Sequence, residues 1–167
     1  MNPNRNKRRR DGSARTLIAT VVASLAATVA GLPAYREYAL QTHTRLAAGV
    51  LEDAYRRWQE RQGADPFGRL LSLETLGYPA STVYLSWDGT LHENEAGGSV
   101  YRLSLRLPAG TEPESCGLSP GTAKAGFVLV AQPLASQAAG TRCGTLCLSS
   151  TGERAVTGTG EAASCWK

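Results

Sequence analysis

Histidine is scarce in this chain: 167 residues hold two, His43 and His92. Neither has a serine, aspartate or cysteine partner at a motif spacing, which removes the usual general base of hydrolytic sites. No cysteine precedes Cys116 and no Cys-x-x-Cys pair occurs. Cys143 and Cys147 stand four apart, but both histidines lie outside the cysteine region, so the ligand supply is poor for zinc. No glycine loop of the phosphate-cradling kind is present. Gly117-Leu118-Ser119-Pro120-Gly121 spells the Gly-x-Ser-x-Gly of hydrolases. Pro120 lacks the backbone N–H that an oxyanion hole needs there, and the flanks read as loop, so the segment is expected to be a plain turn. His92 beside Glu93 and Glu95, and the pair Glu112 and Glu114, read as solvated loop residues. These absences point away from an enzyme, and neither cofactor nor metal is expected.

Charge is missing in one place as well. Residues 16–32 carry none, directly after a head in which six Arg and Lys face one Asp over residues 1–15. The remaining chain, 16–167, holds twelve basic and thirteen acidic groups. The pI near 9.0 is therefore the property of a short topogenic head rather than of a basic domain. Residues 63–167 carry seven basic and nine acidic groups, a poor start for phosphate binding, and no nucleic-acid partner is expected. The uncharged stretch, as a helix, would be about 25 Å long against about 30 Å of hydrocarbon. A basic flank before such a stretch places that end on the cytoplasmic side of a membrane.

The organisation follows from these contrasts. Residues 1–12 read as a basic leader, 13–33 as a transmembrane helix, 34–62 as an amphipathic helix and 63–167 as a globular β-sheet head. In 34–62, Tyr35, Tyr38, Ala39, Thr42, Leu46, Val50, Ala54, Tyr55 and Trp58 recur at helical steps, and the charged residues fall at other positions. Pro33 should bend a continuous rod running from about 15 to 62. Strands are expected at 82–87, closed by the turn signal Asp88-Gly89, and at 99–107, 126–132 and 145–149. In the second of these, Tyr101, Leu103, Leu105 and Leu107 share one face while Val100, Arg102, Ser104 and Arg106 share the other. The segments 63–80, 110–124 and 152–164 read as loops. The expected fold is α+β: a long N-terminal helix, membrane-spanning in its first half, on a four-stranded antiparallel sheet. Four cysteines beyond a membrane segment suggest disulfides made in an oxidising compartment, with three pairings open.

Several of these stretches together resemble the type IV pilin family, in particular PilE-like minor pilins. They are the leader with Gly12, Thr16-Leu17-Ile18 opening the apolar segment, and its end at Leu32-Pro33-Ala34-Tyr35. The amphipathic continuation to Trp58, Leu76-Gly77-Tyr78-Pro79, the stretch 127–133 with Gln137, Cys143-Gly144-Thr145-Leu146 and the ending Cys165-Trp166-Lys167 complete the set. The resemblance implies cleavage between Gly12 and Ser13 by a prepilin peptidase, with methylation of the new terminus. It also implies a filament-core segment containing Thr16, Leu17, Ile18, Val21, Val22, Leu25, Val29, Leu32 and Pro33. A C-terminal loop closed by Cys143–Cys165 belongs to the same pattern, and parity then leaves Cys116 and Cys147 for a second bridge. The implied role is a structural subunit of type IV pili, serving adhesion or twitching motility. Its partners would be other pilins, the inner-membrane assembly platform and the membrane, with the head periplasmic before it reaches the cell surface.

The sequence departs from that family where the leader ends. In the Thr-Leu-Ile register, Ala14 stands for the usual glycine, Arg15 for phenylalanine and Ala19 for glutamate. The register that cuts after Gly12 puts Pro33 closer to its usual distance but leaves no glutamate near the start either. In pilins that glutamate is thought to neutralise a neighbour's new amino terminus inside an apolar core, where an unpaired charge is expensive. Its loss points to a low-copy subunit at a tip or initiation position, or to a membrane-bound member that is not processed. Readings outside this role are a periplasmic binding domain on a signal anchor, a secreted protein cut near Ala30–Gly31, and a type II secretion pseudopilin. The last would commonly carry a calcium-binding loop in its major form, and 152–164 offers only Glu153 and Glu161, too few obvious oxygen ligands for one.

Overall fold

The structure is a computed structural model that describes residues 34–61, 72–107, 116 and 126–167. Residues 34–39 belong to one unit and Leu40–Lys167 to a second, and each is taken by itself. Helix α1 occupies 34–61. A 3-10 turn, Glu74–Leu76, precedes strands β1 (Thr82–Ser86), β2 (Leu91–His92), β3 (Ser99–Arg106) and β4 (Val128–Pro133). Helix α2 (Ala135–Ala138), β5 (Leu146–Ser149), β6 (Arg154–Val156) and helix α3 (Ala162–Cys165) complete the chain.

Two expectations are corrected. The sheet has six strands, all antiparallel, in the order β2-β1-β3-β4-β5-β6, not four. The additional strands are two and three residues long, too short to show an alternating pattern, and β6 lies inside a segment that reads as loop. The long membrane-spanning helix is not found either. No helix among the described residues is long and apolar enough to cross a membrane. In α1 the reason is its charge, with Arg36, Glu37, Arg45, Glu52, Asp53, Arg56 and Arg57 all inside it. Residues 13–33, the span expected to cross, lie outside the described residues.

The face that α1 buries is rotated from the one its large apolar residues suggest. Leu40, Thr44, Ala47, Ala48, Leu51 and Ala54 are buried, Leu46, Val50, Tyr55 and Trp58 are half-buried, and Tyr35 and Tyr38 in the first unit are exposed. Three of the six buried residues are alanines, which leave room for a close helix–sheet approach, and the bulky Tyr55 and Trp58 are only half-buried. Beneath them lie Val83 and Leu85 of β1, Tyr101 and Leu103 of β3, Leu129 and Ala131 of β4, and Leu146 and Leu148 of β5, with Phe127 ahead of β4. Every second residue of these strands enters this core, as the two-residue repeat of a strand requires. Trp58 meets Phe127 edge to face at 4.8 Å between ring centres, a favoured aromatic geometry.

One polar link crosses this core. The Thr44 hydroxyl donates to the Leu40 carbonyl at 2.9 Å, so the Tyr101 hydroxyl, 3.1 Å away and fully buried, donates to Thr44. Thr44→Val leaves the Tyr101 hydroxyl without a partner, and its expected cost is about 1–3 kcal/mol in urea unfolding. Adding Tyr101→Phe to Thr44→Val should recover most of that loss. A double variant as unstable as the sum of both single variants would show that the link is not coupled.

Candidate functional site

Two disulfides organise the C-terminal part of the sheet. Cys143 joins Cys165 and Cys116 joins Cys147, each with 5.8 Å between α-carbons. Cys147 is central in β5, opposite Val130 of β4 and Ala155 of β6. These residues form a small buried cluster with Cys116 and Val128. Their side chains alternate with Leu146 and Leu148, so the cluster sits on the sheet face turned away from α1. The Cys116–Cys147 bridge therefore covers apolar surface that the sheet would otherwise leave open there.

The Cys143–Cys165 bridge closes a second element, a polar loop at the β6 edge. Residues 142–145 and 157–160 run together through backbone bonds: Thr157 N–H to the Thr145 carbonyl, Gly158 N–H to that of Cys143 and Gly160 N–H to that of Arg142, at 2.8–3.1 Å. Thr145 N–H donates to the Thr157 hydroxyl at 2.9 Å. Gly144 has a φ of 61° and faces Gly158 so closely that a β-carbon on it would stand 2.7 Å from the Gly158 nitrogen, so this approach requires glycine. Helix α3 then delivers Cys165 and Trp166 into buried positions. Arg154 lies over the Trp166 ring at 5.6 Å and pairs with Glu52 of α1 at 2.8 Å. The loop is thus fixed from inside by a disulfide, a backbone ladder and a buried tryptophan. Arg142, Thr157, Thr159, Glu161, Ser164 and Lys167 stand exposed on its surface. Such a surface offers mixed charge and hydroxyls in a fixed arrangement, which suits recognition of a macromolecular partner.

A further arrangement, not legible in the sequence, ties the segment after α1 back to it. Asp53 accepts from Arg56 at 2.6 Å, from Arg57 at 2.7 Å and from the Tyr78 hydroxyl at 3.0 Å. Arg57 also donates to the Leu76 carbonyl at 3.3 Å and lies 5.0 Å from the centre of the Tyr78 ring. The motif Leu76-Gly77-Tyr78-Pro79 is thereby a clamp: Leu76 enters the core, Gly77 turns the chain with a φ of 89°, and Tyr78 closes on Asp53. Desolvation raises the Asp53 pKa, but hydrogen bonds from Arg56 and Tyr78 and the charges of Arg57 and Arg56 outweigh it and hold the carboxyl below its usual range. Burial, then the bond to Asp53, raises the Tyr78 hydroxyl well above the ordinary phenol range.

This sets a pH dependence. A carboxyl whose folded pKa lies below its unfolded value contributes stability that is present above the unfolded value, about 4, and lost as pH falls through the folded one. Stability should therefore fall below about pH 4, and Asp53→Asn should flatten part of that descent. Because the partners are substantially exposed, the contribution is on the order of 1 kcal/mol or less. Urea midpoints of both proteins between pH 2 and 6 measure it, and parallel curves would remove Asp53 as a source.

The other sequence-derived sites divide by coverage. Gly12, Ser13, Thr16, Leu17, Ile18, Val21, Val22, Leu25, Val29, Leu32 and Pro33 lie outside the described residues, as does 117–121. His92 is exposed, with Nε2 3.0 Å from the Thr90 hydroxyl, and Glu93 and Glu95 are exposed beside it. No group of three or more His, Cys, Asp or Glu side chains able to hold a metal ion occurs among the described residues. His43 is half-buried in α1, and its Nδ1 has no hydrogen-bond partner among the described residues. No protein-family model matches the chain, and no curated protein matches it either.

Proposed function

We propose that this chain is a minor type IV pilin, a structural subunit that enters type IV pili or primes their assembly. The observation that carries the reading is the disulfide-closed polar loop at the sheet edge, presented by a sheet that packs on helical residues 46–58. The order of features along the chain supports it: basic head, uncharged residues 16–32, amphipathic helix, sheet, closed loop. In this role the uncharged segment holds the chain at the inner membrane before assembly, because lipid and a filament core both reward apolar surface. The loop faces outward to meet other pilins or a surface. Prepilin peptidase and the inner-membrane assembly platform are the partners that processing and assembly require.

Deleting the gene and counting surface filaments by electron microscopy tests the role. Fewer filaments, restored by the wild-type gene, are expected. Unchanged filament number, twitching and adherence would rule it out. Mass spectrometry of the mature N-terminus is the second arm: Ser13 is expected, and a start near Leu32 would identify an ordinary secreted protein instead.

A further inference from the structure

The alternation of β1 places Val83, Leu85 and Trp87 on one face, so Trp87 should be a core residue. It is 63% exposed. The cause is a break in register between Leu85 and Ser86, where β1 pairs Leu85 with Tyr101 but Ser86 with Ser99. The irregularity buries Ser86 directly after Leu85 and turns the next side chain outward, as bulges do when they re-aim a residue. The chain then fixes what it has turned out. Trp87 N–H donates to the Gly98 carbonyl at 3.1 Å. A β-carbon on Gly98 would stand 3.1 Å from Cδ1 and 3.3 Å from Nε1 of the indole. Gly98 has a φ of 113°, so the indole lies against bare backbone at a position that disfavours any side chain. Trp58 is half-buried and Trp166 buried, which leaves Trp87 as the solvent-facing indole.

Along the chain, the charges that follow Trp87 have one sign as far as Arg102. No Lys or Arg occurs between Arg69 and Arg102, while Asp88, Glu93 and Glu95 lie within eight residues of Trp87. Asp88 is committed to Thr90, accepting from its N–H at 3.0 Å and its hydroxyl at 2.7 Å. Glu93 and Glu95 are exposed and have no hydrogen bond or ion pair among the described residues. Arg102, the next basic residue along the chain, is turned onto the Gln132 amide oxygen at 2.6 Å. A flat indole is the best aromatic acceptor for a cation, and nearby carboxylates add to that preference. The tip of a hairpin is not the concave site a small ligand needs, whereas tryptophan is among the residues enriched at the energetic centres of protein interfaces.

We propose that Trp87, seated on Gly98 and followed by the exposed carboxylates Glu93 and Glu95 in the segment between β2 and β3, is the anchor of a docking surface for a basic segment of a partner protein, with a guanidinium or ammonium group placed over the free indole face. The surface stands apart from the Cys143–Cys165 loop and does not depend on the pilin reading.

The test uses the full chain in uncharged detergent and a labelled nine-residue peptide of alternating arginine and serine, with its glutamate counterpart as control. The arginine peptide should bind, protect tryptophan fluorescence from acrylamide and lose affinity as salt rises. Trp87→Leu should weaken binding about tenfold. Glu93→Gln with Glu95→Gln, both at exposed positions, should weaken it several-fold and flatten the salt dependence. Gly98→Ala should weaken it by displacing the indole. Equal binding of both peptides, equal affinity of wild type and Trp87→Leu, or no protection at millimolar arginine peptide would each overturn the proposal.

Discussion

Gly158→Ala is expected to destabilise the protein by about 3 kcal/mol or more, among the larger effects a single methyl group produces. A β-carbon on Gly158 would fall inside the Arg142 carbonyl oxygen and within 2.6–2.7 Å of the carbonyl carbons of Cys143 and Arg142. Every one of these atoms is backbone, so no side-chain rotation relieves the overlap. The paired loop segments 142–145 and 157–160 must separate, and with them go the bonds from Thr157, Gly158 and Gly160 that hold the loop. The Cys143–Cys165 bridge keeps the two sides tethered, so the damage should be local before it is global. Hydrogen exchange should show protection lost first at these amides and retained in β3 and β4. Gly126→Ala is the matched control, since its β-carbon would meet the Ser150 hydroxyl at an ordinary 3.9 Å, and it should shift stability by no more than about 0.5 kcal/mol. Equal midpoints for the two variants in urea would show that the loop backbone is free to open.

The backbone approach at Gly158 could not be read from the chain, because it depends on two segments fifteen residues apart meeting at van der Waals distance. The same limit explains the other departures. The alternation of 99–107 gave the faces of β3 correctly for Tyr101 and Leu103, which are buried, since a regular strand transmits its period to the sheet. Trp87 broke the pattern because the register shift after Leu85 belongs to the pairing of two strands and leaves no mark in either one alone. Asp53 and Tyr78 are twenty-five residues apart, and their bond follows only from the way the chain returns to α1. In α1 itself the large apolar residues drew attention to the wrong meridian. The helix buries Ala47, Ala48 and Ala54, and a small residue carries little hydrophobic signal although it decides how near two backbones can come.

Removing the Cys143–Cys165 bridge should cost more than removing Cys116–Cys147, although loop entropy alone argues the reverse. The two bridges span 22 and 31 residues, and the chain-entropy relation gives about 3.4 and about 3.7 kcal/mol, a difference too small to decide. Packing decides. Cys165 is 3% exposed within the main core and is followed by the buried Trp166, so losing its tether frees the end of the chain to leave that core. Cys116 joins only the small cluster of Val130, Cys147, Ala155 and Val128 on the opposite sheet face. Cys143→Ala with Cys165→Ala is therefore expected to destabilise by about 4 kcal/mol, near the upper part of the range for native bridges. Cys116→Ala with Cys147→Ala should cost about 3 kcal/mol and leave the α1 face of the sheet intact. Tryptophan reporters separate the two: with Trp87→Phe and Trp58→Phe in the background, Trp166 emission should shift to the red in the first pair and stay unmoved in the second. A red shift in both, or a larger loss of stability from the Cys116–Cys147 pair, would mean that the strap on the outer face, rather than the closed C-terminal loop, holds the sheet together.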